Sequence, residues 1–301
     1  MQDIKNASKA IKREAKMTYG LVQSDIPVTV VLGTVSAIAF ALARDTALSS
    51  VEWVSLVLKS VSWFFAYGYQ FNIGNQMNGV EEDRLNSGEL SFKANRPLAT
   101  GEMSMEEGEV RQIVSRVFFM VISWLLGSTE LSLCALLWIG TSHGLNGMGW
   151  SNHFATKNWL GMSAGSISML LAARNLAGET TASMIPPILA ATWIGFCMDS
   201  QDLRDETGDR QVGRETTAVL LGVENARKAY VTTSAAATGA LMYTVRDCLG
   251  WPDAVILAGI AAHLARTLSN DSVKDDELTY KEICLAGFAF FCRSAIWAHT
   301  F

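Results

Sequence analysis

Three stretches of this chain carry no charged residue at all: 26–43, 180–198 and 229–245. Each approaches the ~20 residues that a helix needs to cross a hydrocarbon layer. Ionisable side chains are costly in hydrocarbon, so repeated charge-free runs constrain a chain towards an all-α bundle of membrane-spanning helices. Half of the 301 residues are hydrophobic, and the 18% that are charged gather between the runs. The competing reading is a large soluble all-α protein with buried central helices, which usually keep a polar face.

Nine apolar segments follow from the pattern: 26–43, 51–74, 113–126, 131–143, 159–177, 185–198, 229–245, 254–268 and 283–299. Eight remain if the fourth or ninth, the weakest, is discounted. With nine spans, the N-terminus and the loops after spans two, four, six and eight share one side. That side holds Arg84, Lys93, Arg96, Arg111, Lys157, Arg204, Arg210, Arg214, Arg227, Lys228, Lys274 and Lys281. The opposite loops hold little beyond Arg44 and Arg246. The asymmetry assigns the basic side to the cytosol.

Ahead of the first span, Lys5, Lys9, Lys12, Arg13 and Lys16 alternate with Ile4, Ala7, Ile11, Ala15 and Met17. Residues 1–20 therefore read as an amphipathic helix on an anionic membrane surface, with a disordered basic tail as the alternative. The first 19 residues contain no apolar core of a signal peptide, so no cleavage is expected. With no flexible linker, 1–301 reads as a single domain. A net charge of −5 without a block of Lys and Arg argues against a nucleic-acid partner. No obligate protein partner is evident. The five cysteines have neither CxxC spacing nor histidines at zinc spacing, and read as small buried hydrophobes.

Two acidic segments, 72–101 and 199–217, lie at the cytosolic ends of even-numbered spans. In the first, NIGNQMNGVEEDRLNSGELSFKANRPLATG, positions Asn75, Gly79 and Asp83 are four apart and share one helical face. An amide and a carboxylate so placed offer the oxygen ligands that Mg²⁺ takes, although a solvated helix end has the same spacing. Lys93 and Arg96 follow, as phosphate contacts or as positive-inside anchors. In the second, DSQDLRDETGDRQVGRETT, Asp202, Asp205 and Asp209 share a face, Arg210 and Arg214 stand four apart, and Gly208 and Gly213 let the backbone bend. So many carboxylates repel one another without a cation. Two such banks across a bundle suit a diphosphate bridged by Mg²⁺.

In these motifs the chain resembles the UbiA superfamily of intramembrane prenyltransferases, and the resemblance extends over essentially its whole length. That family carries NxxxDxxxD after its second helix and DxxxD after its sixth. The latter matches here as Asp205 to Asp209, and RPLATG at 96–101 resembles the family's RPLxSG. The loop GWSNHFATKNWLG at 149–161 resembles that of fungal members. The first motif departs: Gly79 replaces its middle Asp. That departure resembles the UbiA-type class I terpene cyclase branch, known mainly from fungi.

The resemblance implies a multi-pass membrane enzyme with a cytosol-facing site, in the endoplasmic reticulum if the source is fungal. It ionises geranylgeranyl or farnesyl diphosphate and lets the chain's own double bonds trap the cation. Asn75, Asp83, Asp202, Asp205 and Asp209 are expected to hold Mg²⁺. Lys93, Arg96, Lys157, Arg210 and Arg214 are expected to bind the diphosphate, both acidic segments being active-site loops. Phe64, Phe65, Tyr67, Phe71, Phe118, Phe119, Trp193, Phe196 and Phe288 are candidate cavity walls. Asn146, Asn152, His143 or the diphosphate itself could take the final proton. Competing readings are a prenyltransferase with an aromatic or other acceptor, and a cation-coupled transporter using Arg174 and Arg293. A metal-dependent site predicts that EDTA abolishes turnover and that Mg²⁺ restores it. Full activity in membranes dialysed against EDTA would remove the metal assignment.

Overall fold

The computed structural model describes residues 2–44, 47–86 and 96–301, and these are helical nearly throughout. The helices are α1 Gln2–Val22, α2 Leu32–Ala43, α3 Ser50–Asn78, α4 Val80–Asn86, α5 Met105–Leu126, α6 Thr129–Gly147 and α7 Ser163–Leu176. They continue with α8 Ile185–Cys197, α9 Asp199–Gln211, α10 Thr217–Leu221, α11 Val223–Thr244, α12 Trp251–Thr267 and α13 Val273–Thr300. Two π-helical turns, Pro27–Val31 and Ala155–Met162, precede α2 and α7.

Every predicted apolar run lies on one of these helices, but the helices often outrun it. The capping box of Ser104 and Glu107 starts α5 eight residues before the expected 113, carrying a charged turn along. Ser49 and Glu52 cap α3 in the same way. Such charged ends and inward-facing polar residues dilute mean hydropathy. By length and composition alone, one helix among the described residues, Val273–Thr300, is long and apolar enough to cross a membrane. The pair Asn6–Val22 and Pro27–Ala43, bent by 70°, passes together. The expected count of about nine spans is thus not confirmed, and the ninth run, expected to be weak, lies on the helix that passes.

The polarity of α5 is inverted relative to a helix in water. Val110, Ile113, Val114, Val117, Phe118, Val121, Trp124 and Leu125 are exposed, whereas Ser115, Phe119 and Ser123 are buried. Their spacing makes one continuous apolar face, larger than isolated surface residues explain. Phe118 and Phe65 are exposed, so neither lines an interior cavity, contrary to expectation. The interior contains a ring-on-ring stack: Tyr67 and Trp138 are parallel at 4.4 Å, and Phe71 lies 5.0 Å from Trp138. Deeper, Trp63 packs against Phe64 and Phe119 and donates to Ser123 Oγ at 2.8 Å.

Arg174 donates to the Ala182 carbonyl, and Arg293 forms a two-pronged pair with Asp253 at 2.7 Å. Both arginines the transporter reading needed are thus tied to structural partners. The N-terminal helix is tied down as well, through Arg13 to Glu107 and Glu14 to Arg111.

Close approach of α2 to α3 rests on Gly33: a Cβ there would fall 2.4 Å from the buried ring of Phe64. Gly33→Val should destabilise the protein by about 1–3 kcal/mol through overpacking. Gly239→Ala, with nothing within 4 Å, should be neutral or stabilise by up to about 1 kcal/mol. Thermal unfolding of both variants in detergent checks the contrast.

Candidate active site

Where they are described, the acidic segments are largely helical rather than loops: 72–78 and 80–86 lie on α3 and α4, and 199–211 on α9. The i to i−4 ladder runs through the α3–α4 joint, with Gly79 N–H donating to Asn75 O at 2.9 Å and Asp83 N–H to Gly79 O at 2.8 Å. Asn75, Gly79 and Asp83 therefore keep the shared face that their spacing predicts. Helix α9 begins directly after α8, with Asp199 and Asp202 in its first turn, where carboxylates complement the helix dipole. Helices α4 and α9 pack together. Asp83, Asp202, Asp205 and Asp209 are all buried in this region.

Each of these carboxylates meets a cation. Arg96 Nη1 donates to both Asp83 oxygens at 2.6 and 2.7 Å. Lys157 Nζ donates to Asp202 Oδ1. Arg204 Nε reaches Asp205 Oδ1 at 3.2 Å. Arg214 Nη1 donates to Asp209 Oδ1 at 2.9 Å. The last contact depends on Gly213, whose φ of 73° turns the chain so that Arg214 folds back onto α9. Lys157 is delivered by a loop that turns at Gly149, φ 75°, and is pinned by backbone bonds between Asn152, Phe154 and Glu215. Its neighbour Asn158, fully buried, donates to Asp199 at 2.7 Å and to Asp202 at 2.8 Å.

The other predicted residues make no such pair with these carboxylates or lie outside the described residues. Arg210 is exposed and pairs with Glu206 one turn back, at 2.7 Å, because its position on α9 points away from the aspartate face. Asn75 is half-buried on the shared face. Lys93 falls outside the described residues. Four site residues went unread in the sequence: Asp25, Asn158, Asp199 and Arg204. Asp25 stands where the first charge-free run begins, a position that flags an acid at a span's edge. Asn158 belongs to the TKN stretch beside Lys157. Asp199 and Arg204 lie inside the second acidic segment but off its most regular spacing.

Among the described residues, six carboxylates (Asp25, Asp83, Asp199, Asp202, Asp205, Asp209) stand against four cations (Arg96, Lys157, Arg204, Arg214). Their burial appears in the proton affinities. Burial, reinforced by Asp209 and Asp199, pushes the Asp202 carboxyl up to about 6 despite Lys157. Burial also raises Asp199 and Asp25, the latter opposed by Arg96 and Arg204. Lys157 is raised too: its own burial would lower it, but Asp202 and Asp209 outweigh that. A site that tightens its hold on protons wants more positive charge.

Among the described residues, no three carboxylate, imidazole or thiol groups converge into a ready-made metal cage. The donor chemistry nonetheless fits Mg²⁺: the acidic ligands are hard oxygens, and Asp209 Oδ2 and Asn158 Oδ1 are buried without a hydrogen-bond partner.

Comparison with known proteins identifies the family. Residues 30–291 match the model of the UbiA prenyltransferase family. The chain is 33% identical over 220 residues to the somaliensene A/B synthase of Streptomyces somaliensis, covering 73% of this chain and 70% of that protein. It is 30% identical over 213 residues to a diterpene cyclase of Hericium erinaceus, covering 70% and 66%. A polyprenyl transferase of the same fungus is 27% identical over 213 residues, covering 70% of each. In structure, the chain superposes on a UbiA homologue of Archaeoglobus fulgidus solved with DMAPP and Mg²⁺, with TM-score 0.67, 17% identity and coverage of 91% and 99%.

The site geometry separates two arginines that the sequence treats alike. Arg214→Ala leaves a buried carboxylate unpaired and should lower turnover of geranylgeranyl diphosphate about tenfold or more. Arg210→Ala removes an exposed pair and should stay within about twofold. Rates in membranes, normalised to protein amount, decide between them.

Proposed function

From a chain that belongs to the UbiA prenyltransferase family, we infer a membrane-embedded terpene cyclase that ionises a geranylgeranyl or farnesyl diphosphate and closes it into a cyclic terpene. The observation that carries this choice is Gly79. It is buried at the α3–α4 joint with φ −100°, a conformation open to any residue. The backbone therefore does not require glycine there, and the missing carboxylate is a chemical difference. The similarity to proteins named as terpene synthases and cyclases supports the same reading.

In this reading the outward apolar face of α5 is solvated by hydrocarbon, and the α4–α9 junction faces the cytosol, where the basic loops lie. Asp83, Asp202, Asp205 and Asp209, with Asn75, would hold Mg²⁺, which when bound supplies Lewis-acid neutralisation of the diphosphate. Arg96, Lys157 and Arg214 exchange their carboxylate partners for diphosphate oxygens. The allylic end of the substrate points into the bundle, towards Phe71, Tyr67 and Trp138. Their ring faces stabilise the cation without attacking it, and the apolar enclosure keeps water from quenching it. Of the side chains proposed to take the final proton, His143 and Asn152 are exposed. Asn146 is half-buried but its unpartnered Nδ2 can only donate, so the departing diphosphate is the stronger candidate.

A prenyltransferase is the second reading. The fully buried Gln70, whose amide oxygen and nitrogen both lack partners, offers a polar acceptor something to bind. Incubation without acceptor separates the two. Membranes containing the protein, given farnesyl or geranylgeranyl diphosphate and Mg²⁺, should release diphosphate and yield a cyclic terpene in the organic extract. Recovery of unreacted or merely hydrolysed substrate, with product only when an aromatic acceptor is added, would favour the transferase.

A further inference from the structure

The four cations described at the site are not equivalent. Arg96 and Arg214 lie on irregular chain beyond α4 and α9, and Lys157 on the turn leading into α7. Each can swing from its aspartate to an incoming anion. Arg204 sits on α9 itself, one residue before Asp205. At 100° per residue it points off the Asp202–Asp205–Asp209 face, towards α13. There its guanidinium lies over the Tyr280 ring, 4.4 Å from the centroid, while Nε turns back to Asp205 Oδ1 at 3.2 Å. The side chain is only 9% exposed, the least of the four cations.

We propose that Arg204 is a fixed positioning residue, seated on Tyr280, that holds the Asp205 carboxylate in place for the cation while the other three basic side chains transfer to the diphosphate. The physical reason is the division of its contacts. A planar guanidinium can stack on a ring through its face and donate through its edge at the same time, which an ammonium cannot. The stacked face fixes the plane of the group, and that plane fixes the direction of the Nε–H bond to Asp205. Away from water such a contact is stronger than at a surface. Arg204 also lies near enough to Asp25, at the break between α1 and the first π-turn, for the two charges to interact. The seat is thus made by α13 and the α1 break, outside both acidic segments, which is why neither motif announces it. Asp205 would then be ordered before a metal arrives, whereas Asp83, Asp202 and Asp209 become available only as their partners leave.

This inference rests on the metal-diphosphate reading above, and its test reads binding rather than turnover. The full chain in detergent is titrated with MgCl₂ at fixed inorganic pyrophosphate, and the unfolding midpoint is followed. Tyr280→Leu should leave the midpoint without Mg²⁺ within a few degrees but raise the Mg²⁺ concentration for half-maximal stabilisation roughly tenfold. Tyr280→Phe keeps the ring and should restore the wild-type response to within about twofold. Arg204→Lys keeps the charge, loses the planar stack and should resemble Tyr280→Leu, so it decides the matter if Tyr280→Leu does not fold. An unchanged Mg²⁺ response in Tyr280→Leu or Arg204→Lys would overturn the seat, as would a Tyr280→Phe variant as defective as Tyr280→Leu. A wild-type protein that Mg²⁺ and pyrophosphate fail to stabilise would overturn the metal reading itself, and this inference with it.

Discussion

A carboxylate taken out of water costs several kcal/mol unless a charge of opposite sign comes with it. The junction of α4 and α9 buries four of them, and the surrounding chain is arranged to supply the partners. The Gly213 turn brings back Arg214, the loop pinned to Glu215 brings Lys157, the RPLATG turn brings Arg96, and α9 supplies Arg204. Among the described residues four cations serve these carboxylates, and burial raises the proton affinities of Asp202, Asp199 and Asp25 all the same. In the proposed reading a divalent metal would complete the neutralisation of these buried carboxylates.

The rest of the bundle keeps this charge at one end. Inside, polarity falls along α3 from Asn75, through the unpartnered amide of Gln70, to the aromatic stack of Tyr67, Phe71 and Trp138. Outside, α5 presents valine, isoleucine, phenylalanine and tryptophan. A reaction that separates an anionic leaving group from a hydrocarbon cation needs both environments within one substrate length. A helix that runs from one to the other provides that gradient without any moving domain.

Buried polar groups without partners are costly in a protein that only has to fold. Gln70, Asp209 Oδ2 and Asn158 Oδ1 are therefore informative in combination. Two of them belong to the charged junction, where the metal of the proposed reading would account for them. Gln70 lies deeper, on the stripe of α3 whose neighbouring positions meet α5 and α6 through the Trp63–Ser123 hydrogen bond and the close approach of Gly74 to Gln112 and Asn146. The terpene cyclase reading does not by itself require that amide, and the transferase reading gives it a use.

Much of this was legible in the chain of residues alone. Charge-free runs located the helices, because ionisable groups are excluded from hydrocarbon whatever the fold. The spacing of Asn75, Gly79 and Asp83, and of Asp202, Asp205 and Asp209, set their shared faces, because helical periodicity is a local property. The Ser104–Glu107 capping box, equally local, was overlooked, and α5 begins eight residues early as a result. Other features could not be read locally. Arg210 and Arg214 look alike in sequence, yet Arg210 stays on the outer face of α9 while the turn at Gly213 brings Arg214 back onto Asp209. Asp25, Asn158 and the Tyr280 seat of Arg204 reach the junction from α1, the α6–α7 loop and α13. The sequence determined what kind of groups this protein holds and on which helical faces. Tertiary structure alone decided which cation meets which carboxylate, because a buried charge is settled by whatever the folded chain brings within hydrogen-bond distance, and that distance has no counterpart along the sequence.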